Sequence, residues 1–91
     1  MNKSDLIDKL SIETGFPPKE SEEVVSLVFR EMTDALGKGE RVEIRGFGSF
    51  KVKHYAGYKG KNPKTKETVE VKPKKLPFFK CGRDLKKRVD T

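Results

Sequence analysis

Cysteine and histidine are nearly missing from this chain, and tryptophan is wholly missing: 91 residues hold one Cys, one His and no Trp. A single thiol, Cys81, cannot close a disulfide within the chain, and one Cys with one His makes no metal-ligand cluster. The thiol reads instead as a small buried hydrophobe. Catalysis lacks its usual parts as well. His54 lies among lysines with no nucleophile or carboxylate partner evident in the sequence, and Ser49 lacks the Gly-x-Ser-x-Gly elbow. Gly46-Phe47-Gly48 has no third glycine in phosphate-loop register. No apolar run approaches the roughly 18 residues that span a bilayer, and Met1 to Lys9 mixes charges with apolar residues, unlike a signal peptide. The expectation is a cytoplasmic, non-enzymatic protein with no metal, no cofactor, no small-molecule substrate and no membrane partner.

What is abundant is positive charge, unevenly placed. Residues 1–40 carry 5 basic and 9 acidic side chains, whereas residues 41–91 carry 16 basic and 5 acidic. Between Lys51 and Lys75 stand 9 lysines against Glu67 and Glu70. Lysines at that density repel one another unless a polyanion lies alongside, and nucleic acid is the commonest polyanion, ahead of an anionic membrane. A chain of this length also buries only about 60–65% of its unfolded surface, which leaves oligomerisation as the source of further buried area.

The pattern reads as α+β in one domain, 1–91, with a helical base over 1–40, a sheet over 41–81 and a C-terminal helix over 82–91. Asn2 caps a first helix, Asp5 favours its dipole, Leu6, Ile7 and Leu10 form its stripe, and Gly15 ends it. Pro18 opens a second helix in which Val24, Val25, Leu27, Val28, Met32, Ala35 and Leu36 recur at helical spacing until Gly37-Lys38-Gly39. Val42 and Ile44 alternate with charges in a first strand. Gly46 and Gly48 permit a tight turn around Phe47, and Phe50 and Val52 alternate with Lys51 and Lys53 in a second strand. A third runs from about Thr68 to Phe79 with Val69, Val71, Leu76 and Phe78 or Phe79 inward; Pro73 and Pro77 predict that it is broken or lies at an edge. Leu85 and Val89 anchor the last, basic helix.

Between these strands, over about 53–75, apolar anchors thin out and Asn62-Pro63 marks a turn, which predicts a protruding β-hairpin arm on the order of 30 Å long. A lone two-stranded ribbon is marginal in water, so a ligand is expected to order it. Its lysines suit phosphates, and a rigid apolar Pro63 at the tip suits a wedge between base pairs or an ordinary turn. Tyr55 and Tyr58 suit either contact with sugars and bases or stiffening of the ribbon across from Val69 and Val71.

Gly46-Phe47-Gly48-Ser49-Phe50, followed by Gly60-Lys61-Asn62-Pro63-Lys64-Thr65, resembles the motif of the bacterial HU and integration host factor family of histone-like proteins. The likeness extends over essentially the whole chain, from Asn2-Lys3-Ser4-Asp5-Leu6-Ile7 to Phe79-Lys80. It implies an intertwined dimer, with a three-stranded antiparallel sheet forming a saddle and two arms wrapping the minor groove of duplex DNA. Phe47, Phe50 and Phe79 would be core and dimer-interface aromatics. Pro63 would intercalate, assisted by Asn62 and Lys61. Lys51, Lys53, Lys59, Lys64, Lys72, Lys74 and Lys75 would line the arm and its base, with Tyr55 and Tyr58 on it and Arg45 and Gly46 at the corner. Lys3, Arg83 and Lys86 would reach phosphates at the flanks. Three positions depart from the family pattern: Lys66 stands where glycine is usual, Tyr55 and Tyr58 where arginine or another polar residue is usual, and Cys81 where alanine or proline is common.

The implied function is that of a nucleoid-associated architectural protein that binds double-stranded DNA as a homodimer or as a heterodimer with a related subunit and bends it, with broad HU-like specificity. The alternatives are a site-selective subunit of the integration host factor type and, from another class, an RNA-binding or ribosome-associated protein. No aromatic platform is evident along the chain to favour RNA.

Overall fold

The first helix, α1 (Lys3–Thr14), starts where two short polar side chains satisfy each other's backbone. Asn2 Oδ1 accepts the Asp5 N–H at 2.8 Å and Asp5 Oδ2 accepts the Asn2 N–H at 3.0 Å, a reciprocal capping box. Gly15 ends the helix in the left-handed region, φ 74°, with its N–H on the Ser11 carbonyl. Ser11 Oγ and Thr14 Oγ1 donate to the carbonyls of Phe16 and Leu10 and so set the turn into α2 (Pro18–Gly37), which begins with proline in its first turn. The computed structural model describes residues 1–91.

Beyond the helices, β1 (Val42–Ile44), β2 (Gly48–Tyr55) and β5 (Lys74–Cys81) form one antiparallel sheet in the order β1-β2-β5, and β3 (Tyr58–Lys61) pairs with β4 (Thr68–Val71) in a second. A short helix, α3 (Arg83–Val89), follows. The expected third strand is therefore two strands in different sheets. Lys72-Pro73 separates them, because proline brings no N–H to a ladder and restricts the residue before it. Pro77 is accommodated because β5 is an edge strand. Lys53 to Tyr55 and Lys74 to Lys75, expected in the arm, belong to the three-stranded sheet instead.

Register decides which side chains share a face. Phe50 pairs with Phe79 and Val52 with Pro77, facing the helices; Lys51 pairs with Phe78 and Lys53 with Leu76, on the other side. Phe79, not Phe78, is thus the inward ring, and Leu76 lies on the lysine-bearing face, a correction to the expected inward set. The expectation placed Leu76 with Val69 and Val71 and left Phe78 and Phe79 as alternatives, and the pairing of β5 with β2 decides between them.

Phe79 packs against Phe47 and Phe50 at centroid separations of 5.5 and 4.7 Å, both tilted. Gly46 takes φ 85° at the corner, whereas Gly48 is required for space: a Cβ there would stand 2.6 Å from the Lys80 carbonyl and from the Phe79 ring. The Phe47 carbonyl accepts the Gly82 N–H at 2.8 Å, tying the corner to the start of α3.

This cluster does not close a core. Only 3 of 91 residues are buried, Ser21, Val25 and Gly48. The radius of gyration is 19.2 Å, against about 12 Å for a globule of this length. Val24, Leu27 and Val28, expected in a buried stripe, are 41%, 46% and 50% exposed, and Phe29 and Phe47 are 47% and 44% exposed. α2 is apolar on more of its circumference than α1 and the sheet can cover, which is the pattern of a helix enclosed on several sides. Two smaller expectations also change. Val89 is exposed, so Leu85 alone anchors α3, whose last turn runs past the body; Cys81 is exposed at the end of an edge strand.

Gly48→Ala is expected to lower the urea midpoint by an amount equivalent to about 3 kcal/mol, since neither the Lys80 backbone nor the packed ring can yield. Gly60→Ala, whose Cβ would meet only the Tyr58 ring at 3.5 Å, should leave the midpoint nearly unchanged. Equal effects of the two substitutions would remove this account of Gly48.

Candidate nucleic-acid interface

The sheet face away from the helices carries Lys51, Lys53, Tyr55, Lys74, Leu76, Phe78 and Lys80, set there by the β2–β5 register. With no carboxylate opposite them, the lysines lie over rings. Lys53 Nζ is 4.7 Å from the Phe78 centroid and 6.0 Å from that of Tyr55, Lys51 is 5.8 Å from Phe78, and Lys74 is 5.9 Å from Tyr55. Such contacts at exposed sites contribute about 0.5–1 kcal/mol and leave the charge available. The two ion pairs of the chain, Lys9–Glu13 and Arg41–Glu43, involve none of these lysines. The face is therefore cationic and uncompensated, with apolar rings between its charges.

The ladder stops at Tyr55–Lys74 and resumes at Tyr58–Val71. Gly57 sits in the gap, where a Cβ would approach the Val71 carbonyl to 2.7 Å and Pro73 Cδ to 2.9 Å. The two halves of the projection thus meet at a close backbone crossing, not in one continuous ribbon.

Asn62 organises the tip. Its N–H donates to the Glu67 carbonyl at 2.9 Å, its carbonyl accepts the Lys66 N–H, and its Oδ1 accepts the Lys64 N–H at 2.9 Å. This Asx turn holds Pro63 outermost and exposed, with the Glu67 N–H resting on Thr65 Oγ1 at 3.4 Å. Lys66 closes the loop at φ 58°, the only non-glycine residue of the chain with positive φ. The loop geometry demands a left-handed residue there whatever the side chain, which explains why glycine would be at ease.

The other residues picked out from the sequence are dispersed around this face. Lys59 opposes Glu70 and Lys61 opposes Thr68 on one side of the arm, while Tyr58 and Gly60 oppose Val71 and Val69 on the other. Lys64 lies in the tip loop and Lys72 at the break. Lys75 opposes His54 on the helix-facing side and borders a recess with Thr33, Leu36 and Val52, so it is separated from Lys74. Arg45 and Gly46 occupy the corner turn beside Asp84. Lys3 opens α1 next to Pro18 and Lys19, and Arg83 and Lys86 lie on α3. Sequence reading missed Lys80, which faces Ser49, and the apolar side chains of Phe78 and Leu76 between the lysines. Counting alternation back from Cys81, after Pro73, would have found all three.

Replacing Lys66 with Gly should relieve the left-handed strain at the tip and slow amide exchange of Asn62 and Lys66 about fivefold or more, measured by NMR. Exchange unchanged within error would mean that the tip is not limited by this residue.

A family model described as bacterial DNA-binding protein matches residues 1–90. The β subunit of integration host factor from Idiomarina loihiensis is 46% identical over 91 residues, covering 100% of this chain and 98% of that one. The corresponding subunit from Haemophilus influenzae is 44% identical, covering 99% and 97%. Among solved structures, HU from Anabaena cocrystallised with DNA superposes with a TM-score of 0.86 at 29% identity, covering 98% of this chain and 97% of that one. HU from Thermotoga maritima superposes with a TM-score of 0.69 at 32% identity, covering 98% of each. With the family model spanning nearly the whole chain and the α+β fold shared throughout, the chain belongs to the bacterial DNA-binding protein family of histone-like HU and integration host factor proteins.

Proposed function

We propose that two copies of this chain, or one copy and a related subunit, enclose the open apolar core and present two arms to duplex DNA in the bacterial nucleoid. The observation that carries this reading is Pro63, exposed at the tip of a paired arm that rises from an uncompensated cationic face. The lysines would neutralise phosphates and release counterions, a sequence-independent source of affinity. The tip would follow the minor groove and insert Pro63 into a base step, unstacking it at a cost of a few kcal/mol that wider contact offsets. Lys3, Arg83 and Lys86 would extend the contact along the flanks of the body, and residues 1–91 would act as a single DNA-binding domain.

Burial supports the dimer. Val24, Leu27, Val28 and Phe29 of α2 and Phe47 of the corner remain substantially exposed in a single chain. Apolar surface of that extent on a chain with three buried residues leaves a lone copy marginal, and a partner removes it from water at about 25 cal/mol per Å2.

Broad binding is favoured by the charge excess, net +7 over the chain. Identity gives a specific observation for a second reading: the integration host factor β subunits match at 44–46%, whereas the HU structures match at 29–32%. That reading is a site-selective subunit that pairs with a different chain and selects bendable steps through deformation energy. Competition between a random-sequence duplex and duplexes selected for tight binding separates the two, and sedimentation of the purified chain reveals whether it pairs with itself.

Val28→Glu is expected to place a charge in the subunit interface and convert the sedimenting species to an unfolded or monomeric chain. A stable dimer of that variant would show that this face of α2 is not the interface. On a duplex of about 35 base pairs end-labelled for energy transfer, binding should weaken with salt by about 0.9 log unit of affinity per log unit of salt for each phosphate neutralised. Pro63→Ala should retain that salt dependence and lose most of the end-to-end approach. Unchanged approach of the ends in the variant would dismiss the wedge, and absence of binding at low salt would dismiss DNA.

A further inference from the structure

The second helix carries its charges unevenly. Over Pro18–Gly37 it has two cations, Lys19 and Arg30, against five carboxylates, Glu20, Glu22, Glu23, Glu31 and Asp34. Glu22 and Glu23 stand one turn after Lys19, and Asp34 stands one turn from both Arg30 and Lys38, so each has a cation within reach on the same helix. Glu20 and Glu31 have none. The neighbours one turn away are Phe16, Pro17, Glu23 and Val24 for Glu20, and Leu27, Val28, Asp34 and Ala35 for Glu31. Both carboxylates are exposed, and neither belongs to the two ion pairs of the chain.

Glu20, Val24, Leu27 and Glu31 follow one another at spacings of four, three and four residues, so they form one stripe along α2, with Val28 beside it. Val24, Leu27 and Val28 are 41%, 46% and 50% exposed, whereas the buried Ser21 and Val25 mark another side of the helix. The stripe is an uncovered apolar patch with a carboxylate at each end. Suppose two identical copies meet across it with α2 antiparallel. Val24 then faces the partner's Leu27, and Glu20 faces the partner's Glu31 at both ends, because a two-fold contact pairs the same residues twice. A parallel crossing sets each carboxylate beside its own counterpart. Both arrangements bring like charges together where water is excluded.

We propose that Glu20 and Glu31 select the partner: this face of α2 pairs with a different, related chain whose own stripe carries lysine or arginine opposite these carboxylates, and it discourages pairing of the chain with itself. The inference rests on the reading of α2 as the subunit interface and decides, within that reading, between self-pairing and pairing with a related subunit. Charge complementarity names the occupant. A surface apolar in its middle and anionic at both ends is matched by one that is apolar in its middle and cationic at both ends. An uncharged partner would strip water from two carboxylates and return no counterion. The same two side chains thus repel the wrong partner and attract the right one, and so act on both sides of the affinity difference.

The thiol of Cys81, the only one in the chain and exposed, takes one fluorophore per chain outside α2. Energy transfer between donor-labelled and acceptor-labelled full-length chains then measures pairing. Four combinations are compared at low salt: the unsubstituted chain with itself, a Glu20→Gln/Glu31→Gln variant with itself, a Glu20→Lys/Glu31→Lys variant with itself, and the unsubstituted chain with the lysine variant. Glutamine and lysine form helix about as readily as glutamate, and circular dichroism checks that α2 is kept. The glutamine variant is expected to pair with itself about tenfold or more tightly than the unsubstituted chain does. The lysine variant should pair with itself as weakly as the unsubstituted chain, whereas the mixture of the two should pair about tenfold or more tightly than either alone. At about 1 M salt, where charges are screened beyond about 3 Å, these differences should fall to about twofold or less. An unsubstituted chain that pairs with itself as tightly as the mixture, a glutamine variant no tighter than the unsubstituted chain, or differences that persist at high salt would overturn selection by these charges while leaving α2 as the interface. Absence of pairing in all four combinations would instead overturn the α2 interface, and this inference with it.

Discussion

The contact on which the rest of the molecule depends is that of the Phe79 ring over Gly48. It brings an aromatic from the edge strand β5 against a position of β2 that has no side chain, and a Cβ at 48 would lie 2.6 Å from that ring. Phe47 and Phe50 close around the same ring, and the Phe47 carbonyl holds the Gly82 N–H at the entry to α3. One small volume thus sets the register of the sheet, the corner between β1 and β2, and the departure of the last helix. A one-residue slip of β5 would exchange Phe79 for Phe78 and turn Lys74 and Lys80 inward. The placement of cations on the outer face is consequently a result of how apolar rings pack on the inner one.

The same packing leaves the protein unfinished as a single chain. α1 packs on α2, α2 lies against one side of a narrow sheet, and the remaining circumference of α2 faces water with valines, a leucine and a phenylalanine. Little apolar area is buried while the full conformational entropy of ordering the chain must still be offset. The arm lies at the other extreme. It is a two-stranded ribbon with backbone pairing and few buried contacts, set off from the saddle by the Gly57–Pro73 crossing. A chain built in this way keeps apolar surface unburied on its helical side and its least buried backbone pairing in the arm. Stacking of Lys53 and Lys51 on Phe78 suits that division, since the cations are positioned without being neutralised.

Much was legible along the chain because it is local. The Asn2–Asp5 cap, Gly15, Pro18 at a helix start and the Asn62-Pro63 tip each depend on residues within one turn of one another, and each appears where its chemistry requires. Alternation located β1 and β2 for the same reason. It failed at Leu76 and left Phe78 or Phe79 open, because the face each takes is set by pairing of β5 with β2 and not by spacing within β5. It also failed to separate Lys74 from Lys75, neighbours in sequence that project from opposite faces of β5. That Tyr55 and Tyr58 border one recess was not visible along the chain, where they read as separate residues of a lysine-rich segment.

The sequence by itself determined the class of partner and the kind of fold: a charge asymmetry that only a polyanion relieves, and periodicities that make two helices and a sheet. It also marked the tip, since Asn-Pro chemistry acts within a few bonds. Only the tertiary structure decided which lysines share a face, that Gly48 is needed for space and not for φ, and that two tyrosines meet Leu76 and Val71 in one recess. The reason is range. Caps, turns and charge totals depend on neighbours in the chain, whereas faces and recesses depend on register, and register is set by a ring from residue 79 settling over a glycine at 48.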